Sequence, residues 1–149
     1  MYGGFFMDIW HLRGGNRLEG ACFVQGSKNA SLPIIAASII SPARSELLNV
    51  PQLRDVDAAL RILRHLGCTA EQWGSDVYID SSGLCRSTIP HSLMVEMRSS
   101  VIFMGALIAR CGSARLSLPG GCQLGKRPID LHLAALRQLG AEIDEAGGE

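Results

Sequence analysis

A helical motif that occurs twice constrains the fold of this chain more than any other feature. Residues 56–67 and 129–140 share the pattern (V/I)-D-x-x-L-x-x-L-R-x-L-G, at an offset of 73 residues (56 to 129). The apolar positions recur every three or four residues, which forms one stripe along an amphipathic helix. An aspartate falls in the first turn and a glycine follows the last, as is common at helix ends. The pattern therefore predicts a repeated unit, with one short helix covering a core in each copy.

The same elements flank both copies of the motif. A strand ending in proline precedes each helix, a strand candidate follows it, and an apolar segment too hydrophobic for a surface helix comes first. The predicted strands are 46–51, 69–73 and 77–80 in the first copy and 114–119 and 141–145 in the second, the predicted apolar helices are 32–40 and 92–110, and residues 8–25 alternate as strands around a turn. We expect an α/β (α+β) protein whose second unit is incomplete.

Bulk properties narrow the class of partner. The chain has 149 residues, of which 47% are hydrophobic and 19% charged, and it carries no net charge at pH 7. This balance argues against nucleic acid or an anionic membrane as a partner. The longest apolar runs have about half of the roughly 20 residues that cross a bilayer. The first residues lack the positive region of a secretory signal, so we expect a cytoplasmic protein. Any anion that it binds must be held by a local site.

A glycine-rich insertion carries the residue best suited to chemistry. Aligning Pro51 with Pro119 gives an offset of 68 residues, so the second copy has five extra residues between its strand and its helix. Cys122 lies in this insertion after two glycines, and Lys126 and Arg127 follow it. Nearby cations favour a thiolate and bind phosphate or carboxylate, so this loop suits an anionic substrate. An ordinary glycine turn with an incidental cysteine is the alternative.

The remaining cysteines are predicted to be free thiols. The chain has five cysteines, an odd number, and none forms a C-x-x-C pair, which argues against both a disulfide framework and a zinc site. A free cysteine is by default a small buried hydrophobe. Cys22, Cys68 and Cys111 fit this description, because each adjoins an apolar segment or a helix end.

Two further segments place cations beside helices. Residues 26–33, G-S-K-N-A-S-L-P, lead into an apolar helix, so Lys28 and Asn29 are expected just before its N-terminus, with Ser31 as a possible cap. They could bind an anion there, or they could belong to an ordinary capped helix start. Arg98 enters the second apolar helix, either as a structural arginine or as a guanidinium directed at a ligand. The spacing does not distinguish these two roles.

Taken together, these segments resemble the UDP-N-acetylglucosamine enolpyruvyl transferases, which begin peptidoglycan precursor synthesis in bacteria. Residues 26–33 are similar to that family's G-A-K-N-A-x-L-P, and residues 97–100 (M-R-S-S) to its M-R-A-S. Residues 119–132 are similar to its longer and more specific P-G-G-C-x-x-G-x-R-P-x-D-L-H. Ser27 stands in place of the usual alanine. The resemblance runs from about Ile9 to the end of the chain.

The resemblance implies a fold and a division into domains. Members of the family have two domains of repeated βαβαββ-type units, each an inside-out α/β barrel, with the active site in the cleft between them. Residues 1–26 are then N-terminal strands of the other domain, and residues 27–149 form the first unit and the incomplete second unit of the domain with the catalytic loop. The family's catalytic base and a further arginine fall beyond residue 149, so the chain alone is not expected to turn over.

The implied activity is transfer of the enolpyruvyl group from phosphoenolpyruvate to the 3-hydroxyl of UDP-N-acetylglucosamine, with release of phosphate. No metal and no other cofactor is implied. Cys122 is the implied general acid, the thiol that adds to phosphoenolpyruvate and the site that fosfomycin alkylates, and Lys28 and Asn29 contact phosphoenolpyruvate. The residues implied for UDP-N-acetylglucosamine are Arg98, Arg127, Pro128, Ile129, Asp130 and Leu131.

Two alternatives stay open. The sister enzymes that transfer enolpyruvyl to shikimate 3-phosphate share the architecture but lack the cysteine loop, so Cys122 argues against them. A non-catalytic α/β module that retains ligand contacts is an alternative of another class.

Overall fold

Short helices and strands alternate along the computed structural model, which describes residues 11–97, 99–117 and 129–145. The helices are α1 (Lys28–Ala37), α2 (Arg54–Leu66), α3 (His91–Met94), α4 (Phe103–Cys111) and α5 (Asp130–Gln138), with a 3-10 turn at Ser100–Ile102. The strands are β1 (Arg44–Leu47), β2 (Thr69–Trp73), β3 (Asp76–Asp80), β4 (Thr88–Ile89) and β5 (Arg115–Leu116). No helix within the described ranges is both long and apolar enough to cross a membrane.

Helix α2 is the first copy of the repeated motif, and it follows the predicted pattern. Its apolar stripe is buried, and its first turn carries two aspartates. Gly67 ends the helix in the left-handed conformation, with φ at 104°, and a Cβ at this position would lie 2.6 Å from the Gly83 carbonyl oxygen. Glycine meets both demands. The second copy forms α5 and is also followed by a left-handed glycine, Gly140.

Strands β1, β3 and β2 form an antiparallel sheet in that order, and α2 packs against β2. Val77 and Ile79 of β3 are buried, whereas the residue between them is exposed, as expected for a sheet with one covered face. The strand predicted over 46–51 is displaced, because β1 ends at Leu47. Asn49 then adopts a left-handed conformation (φ 57°), and the Val50 N–H donates to the Ser75 carbonyl at 2.7 Å.

A parallel pair, β4 with β5, connects the first unit to the second. The single helix predicted over 92–110 is wrong: the chain forms α3, the 3-10 turn and α4 in succession. The buried Ser100 hydroxyl stabilises the break by donating to the Met94 carbonyl at 3.0 Å. The prediction that the apolar helices are internal holds for one face of each helix: α1 packs against α4, and Ile35 and Phe103 are fully buried. The opposite face of α1 is exposed, with Ile34 at 50%.

Two predicted strand regions contain no strand where the structure describes them. Residues 11–25 form no regular element and are exposed throughout, and residues 141–145 also form none. Alternating hydrophobicity produces a strand only where a neighbouring strand can pair with it, and the described residues offer neither segment such a neighbour. Strand β5 covers the middle of the range predicted as 114–119, whose last two residues lie outside the described ones.

Candidate active site

Helix α1 begins at Lys28, because the residue before it is a true N-cap. Ser27 has an extended backbone, and its hydroxyl accepts from the Ala30 N–H at 3.3 Å. The cap predicted at Ser31 is wrong: Ser31 is buried inside the helix, and its hydroxyl donates to the Ser27 carbonyl at 2.9 Å. Lys28 and Asn29 are therefore the first two residues of the helix rather than residues that precede it.

Gly26 determines how the chain enters this helix. A Cβ at position 26 would lie 1.6 Å from the carbonyl oxygen of Asn49 and 2.8 Å from its carbonyl carbon. Gly26 does not have a positive φ. Glycine is therefore required at position 26 because a side chain has no space there, and not because the backbone is left-handed. The chain before α1 consequently lies directly against the loop that leads into α2.

This close approach brings Lys28 to Asp55. The Lys28 Nζ donates to the Asp55 Oδ2 at 2.8 Å, and the two side chains are 45% and 34% exposed. Asp55 is the second residue of α2, so two helix N-termini meet at this ion pair. Asn29 lies beside Lys28 and is exposed. The arrangement presents an ammonium and an amide on the surface at the start of a helix, which is a suitable place for an anion.

Asp55 was not among the residues predicted from the sequence. A signal was nevertheless present, because acidic residues near a helix N-terminus interact favourably with the helix dipole. At the offset of the repeat, position 55 corresponds to position 128, which is a proline. The carboxylate is therefore a feature of the first copy and not of the shared scaffold.

Several predicted site residues lie outside the described ones: Arg98, Cys122, Arg127 and Pro128. The residues just before position 98 are described, and they are anchored to α2. Glu96 pairs with Arg61 at 2.7 Å, and Arg61 also pairs with Asp57 at 3.3 Å. Met97 is fully buried. Helix α2 thus contacts both Lys28 and the segment that leads to position 98.

The remaining predicted residues lie at the start of α5. Ile129 is partly buried and precedes the helix, whereas Asp130 and Leu131 are exposed, Leu131 at 79%. Leu133 is the residue of α5 that is buried. The hydrogen bonds and ion pairs of the described residues join Lys28 to Asp55 but join neither Lys28 nor Asn29 to residues 129–131.

The described cysteines differ in their environments. Cys68 is buried, as predicted, and burial raises the pKa of its thiol to about 11. The predictions for Cys22 and Cys111 are wrong, because both are exposed. Cys22 lies in the segment without regular structure, and Cys111 is the last residue of α4, so neither adjoins enough of the core to be covered.

The sequence of this chain is similar to a known family and to curated relatives. Residues 12–149 match the family described as EPSP synthase (3-phosphoshikimate 1-carboxyvinyltransferase). The chain is 48% identical over 142 residues to UDP-N-acetylglucosamine 1-carboxyvinyltransferase 2 of Caldanaerobacter subterraneus subsp. tengcongensis, a match to 95% of this chain and 34% of that protein. It is 44% identical over 137 residues to UDP-N-acetylglucosamine 1-carboxyvinyltransferase of Wigglesworthia glossinidia brevipalpis, covering 92% and 32%. The chain spans about a third of the length of these curated relatives.

Comparison with solved structures indicates the same family as the sequence matches. The crystal structure of the enolpyruvyl transferase NikO from Streptomyces tendae is similar with a TM-score of 0.72 and 28% identity, over 85% of this chain and 28% of that one. The predicted fold class, a mixed α/β portion of the enolpyruvyl transferase fold, is confirmed. Because the family match takes in nearly all of its residues, the chain belongs to the enolpyruvyl transferase family described as EPSP synthase (3-phosphoshikimate 1-carboxyvinyltransferase).

Proposed function

We propose that the protein transfers the enolpyruvyl group of phosphoenolpyruvate to the 3-hydroxyl of UDP-N-acetylglucosamine and releases phosphate, the first committed step of peptidoglycan synthesis. The observation that carries this proposal is the 48% identity, over nearly the whole chain, to a protein named UDP-N-acetylglucosamine 1-carboxyvinyltransferase 2. A cytoplasmic location and a role in cell wall formation and cell division follow from that reaction. Neither nucleic acid nor a membrane is a partner in it.

The reaction needs an acid and fixed positive charge. Protonation of the methylene carbon of phosphoenolpyruvate builds cationic character at the neighbouring carbon, and the sugar hydroxyl attacks that carbon while giving its proton to a base. Phosphate then leaves the tetrahedral intermediate, and the new methyl group loses a proton, which restores the enol double bond in the product. In this proposal Cys122 donates the proton, and Lys28 and Asn29 bind phosphoenolpyruvate. In support, Lys28 and Asn29 begin α1, and Lys28 is only half exposed and held at 2.8 Å from a carboxylate. A mobile surface lysine would lack such a fixed position.

UDP-N-acetylglucosamine is assigned to the second unit. Arg98 and Arg127 supply charge for the nucleotide sugar, and Pro128, Ile129, Asp130 and Leu131 hold the uridine side. In support, Asp130 and Leu131 are exposed in the first turn of α5, and Glu96 fixes the approach to position 98 through Arg61.

The domain division is also a proposal. Residues 1–26 belong with a second domain, and residues 27–149 with the domain that carries the cysteine loop. In support, residues 11–25 are exposed along their whole length and include apolar side chains such as Leu18 and Phe23, which a partner domain would cover. Further residues complete the site, so the 149-residue chain alone is expected to be inactive; the match to about a third of each relative agrees with this.

Shikimate 3-phosphate is the second candidate acceptor, because the family description names the 3-phosphoshikimate enzyme. The two candidates share the donor and differ in the acceptor and in the need for Cys122. A third outcome, ligand binding without turnover, would indicate a non-catalytic module.

The experiment is a graft. The matching 142 residues of the Caldanaerobacter relative are replaced by those of this chain, which gives an enzyme of full length, here called the grafted enzyme. It is treated with fosfomycin, with and without UDP-N-acetylglucosamine, and mapped by mass spectrometry. We expect one adduct in the grafted segment, at Cys122, increased by UDP-N-acetylglucosamine and lost in Cys122→Ser. An adduct at Cys22 instead, or no adduct, would contradict the proposed role of the thiol.

A further inference from the structure

We propose that Asp55 is a positioning residue for Lys28, holding its ammonium at the N-terminus of α1 and leaving the remaining N–H donors to an anionic ligand. The inference rests on the proposed function, because it takes Lys28 as a residue that contacts phosphoenolpyruvate. Asp55 itself need not touch the substrate.

The backbone fixes both members of the pair. The Ser27 cap sets the start of α1 at Lys28, and Asp55 lies in the first turn of α2. The two helices pack against each other, and the close approach of Gly26 to Asn49 joins the segments that precede them. The Nζ–Oδ2 distance of 2.8 Å is that of a charge-assisted hydrogen bond. Both backbones are therefore fixed, and the ammonium itself is held by the Asp55 carboxylate.

The charges around Lys28 explain why a carboxylate is needed at this point. Lys28 lies at the positive end of α1, where a cation is disfavoured, and the first turn of that helix has no acidic residue. Asp55 supplies the missing negative charge from α2. An ammonium has three N–H donors. Asp55 accepts one of them, and the others can be donated to a phosphate or carboxylate group.

An ion pair that served only to stabilise the fold would, when broken, reduce stability rather than anion binding. The side chains are 45% and 34% exposed, and ion pairs with that much solvent contact contribute little to stability. Loss of Asp55 should therefore change anion binding far more than folding. Asp57 provides a matched control, because it lies in the same helix turn and pairs with Arg61 at 3.3 Å.

The first test observes the ammonium in the 149-residue chain. The lysines of the chain are Lys28 and Lys126, so a Lys126→Arg background leaves one lysine signal in a nitrogen-detected NMR spectrum. We expect restricted motion of the Lys28 ammonium, lost in Asp55→Asn and kept in Asp57→Asn. Equal mobility of Lys28 with and without Asp55 would overturn the proposal.

The second test uses steady-state kinetics of the grafted enzyme. Asp55→Asn should raise the KM for phosphoenolpyruvate about tenfold with the KM for UDP-N-acetylglucosamine unchanged, Asp55→Glu should recover part of the loss, and Asp57→Asn should match the parent. An unchanged KM for phosphoenolpyruvate, or an equal rise for both substrates, contradicts positioning. If the unsubstituted grafted enzyme transfers no enolpyruvyl group, the proposed function fails instead, and the NMR measurement still decides the role of Asp55.

Discussion

Gly26 offers the sharpest test of how the fold positions the candidate site. In Gly26→Ala the new Cβ would lie 1.6 Å from the Asn49 carbonyl oxygen, whereas real Cβ contacts essentially never fall below 3.0 Å, so the two backbones must separate by about 1.4 Å. The obstacle is a main-chain atom, which cannot rotate away as a flexible side chain would. Lys28 is two residues further on, so the separation is transmitted to its ammonium and to the contact with Asp55.

The expected loss follows from that displacement. Misplacing a substrate-positioning group by about 1 Å can reduce the rate about a hundredfold, so we expect kcat/KM of the grafted enzyme to fall by about that factor, or about 2.7 kcal/mol in transition-state stabilisation. Forced backbone shifts also cost typically about 1–3 kcal/mol of stability. The assays are phosphate release by the grafted enzyme and urea unfolding of the 149-residue chain.

Gly105→Ala is the matched control. A Cβ at position 105 meets no heavy atom within 4 Å outside its own helix, and the residue lies in α4, where alanine is preferred to glycine by roughly 0.5–1 kcal/mol. The control should keep full activity and equal or greater stability. If Gly26→Ala behaves like Gly105→Ala in both assays, the close approach of the two backbones does not position Lys28.

Three further predictions concern the core and the titrating groups. Because the pKa of Cys68 is raised to about 11, its neutral thiol contributes stability that is present below pH 9 and is lost as the pH rises towards 11. Iodoacetamide at pH 8 should label the exposed cysteines of the native chain and reach Cys68 only on unfolding. Early labelling of Cys68 would contradict its burial. Hydrogen bonds from Ser82, and then from Arg44, lower the pKa of Asp80 to about 2. The ionised Asp80 carboxylate therefore contributes stability that is present above pH 4 and is lost as the pH falls towards 2. Asp80→Asn should flatten the pH dependence of unfolding in that range, and an unchanged pH dependence would argue against those contacts. Leu63→Ala should lower the free energy of unfolding by about 2–5 kcal/mol, because Leu63 is fully buried. Leu48 is 68% exposed, so Leu48→Ala should change the free energy of unfolding by less than about 0.5 kcal/mol. Similar urea midpoints for the two variants would contradict the assigned core.

Local signals predicted the elements that depend on local physics. The repeated motif predicted α2 and its glycine end correctly, because the apolar stripe and the left-handed cap are properties of consecutive residues. The start of α1 was predicted within a few residues, and Ser27, not Ser31, proved to be its cap. Uniformly apolar composition gave no sign of the break between α3 and α4, which depends on the hydrogen bond from Ser100 to Met94.

Contacts between residues far apart in the chain could not be predicted from the sequence. Lys28 was identified as a candidate ligand residue, but its partner Asp55 is 27 residues away and meets it only because α1 packs against α2. The predicted strands are absent from residues 11–25 and 141–145 for a related reason, since alternation does not reveal whether a pairing strand exists. All the ligand assignments stay predictions, and four of the residues, Arg98, Cys122, Arg127 and Pro128, also lie outside the described ones.

The choice of acceptor tests the central claim most directly. The grafted enzyme is supplied with phosphoenolpyruvate and either UDP-N-acetylglucosamine or shikimate 3-phosphate, and phosphate release is measured together with the mass of the organic product. We predict release with UDP-N-acetylglucosamine, a product heavier by one enolpyruvyl group, and loss of both in Lys28→Ala. Turnover with shikimate 3-phosphate alone, or with neither acceptor while the parent relative remains active, would contradict the assignment.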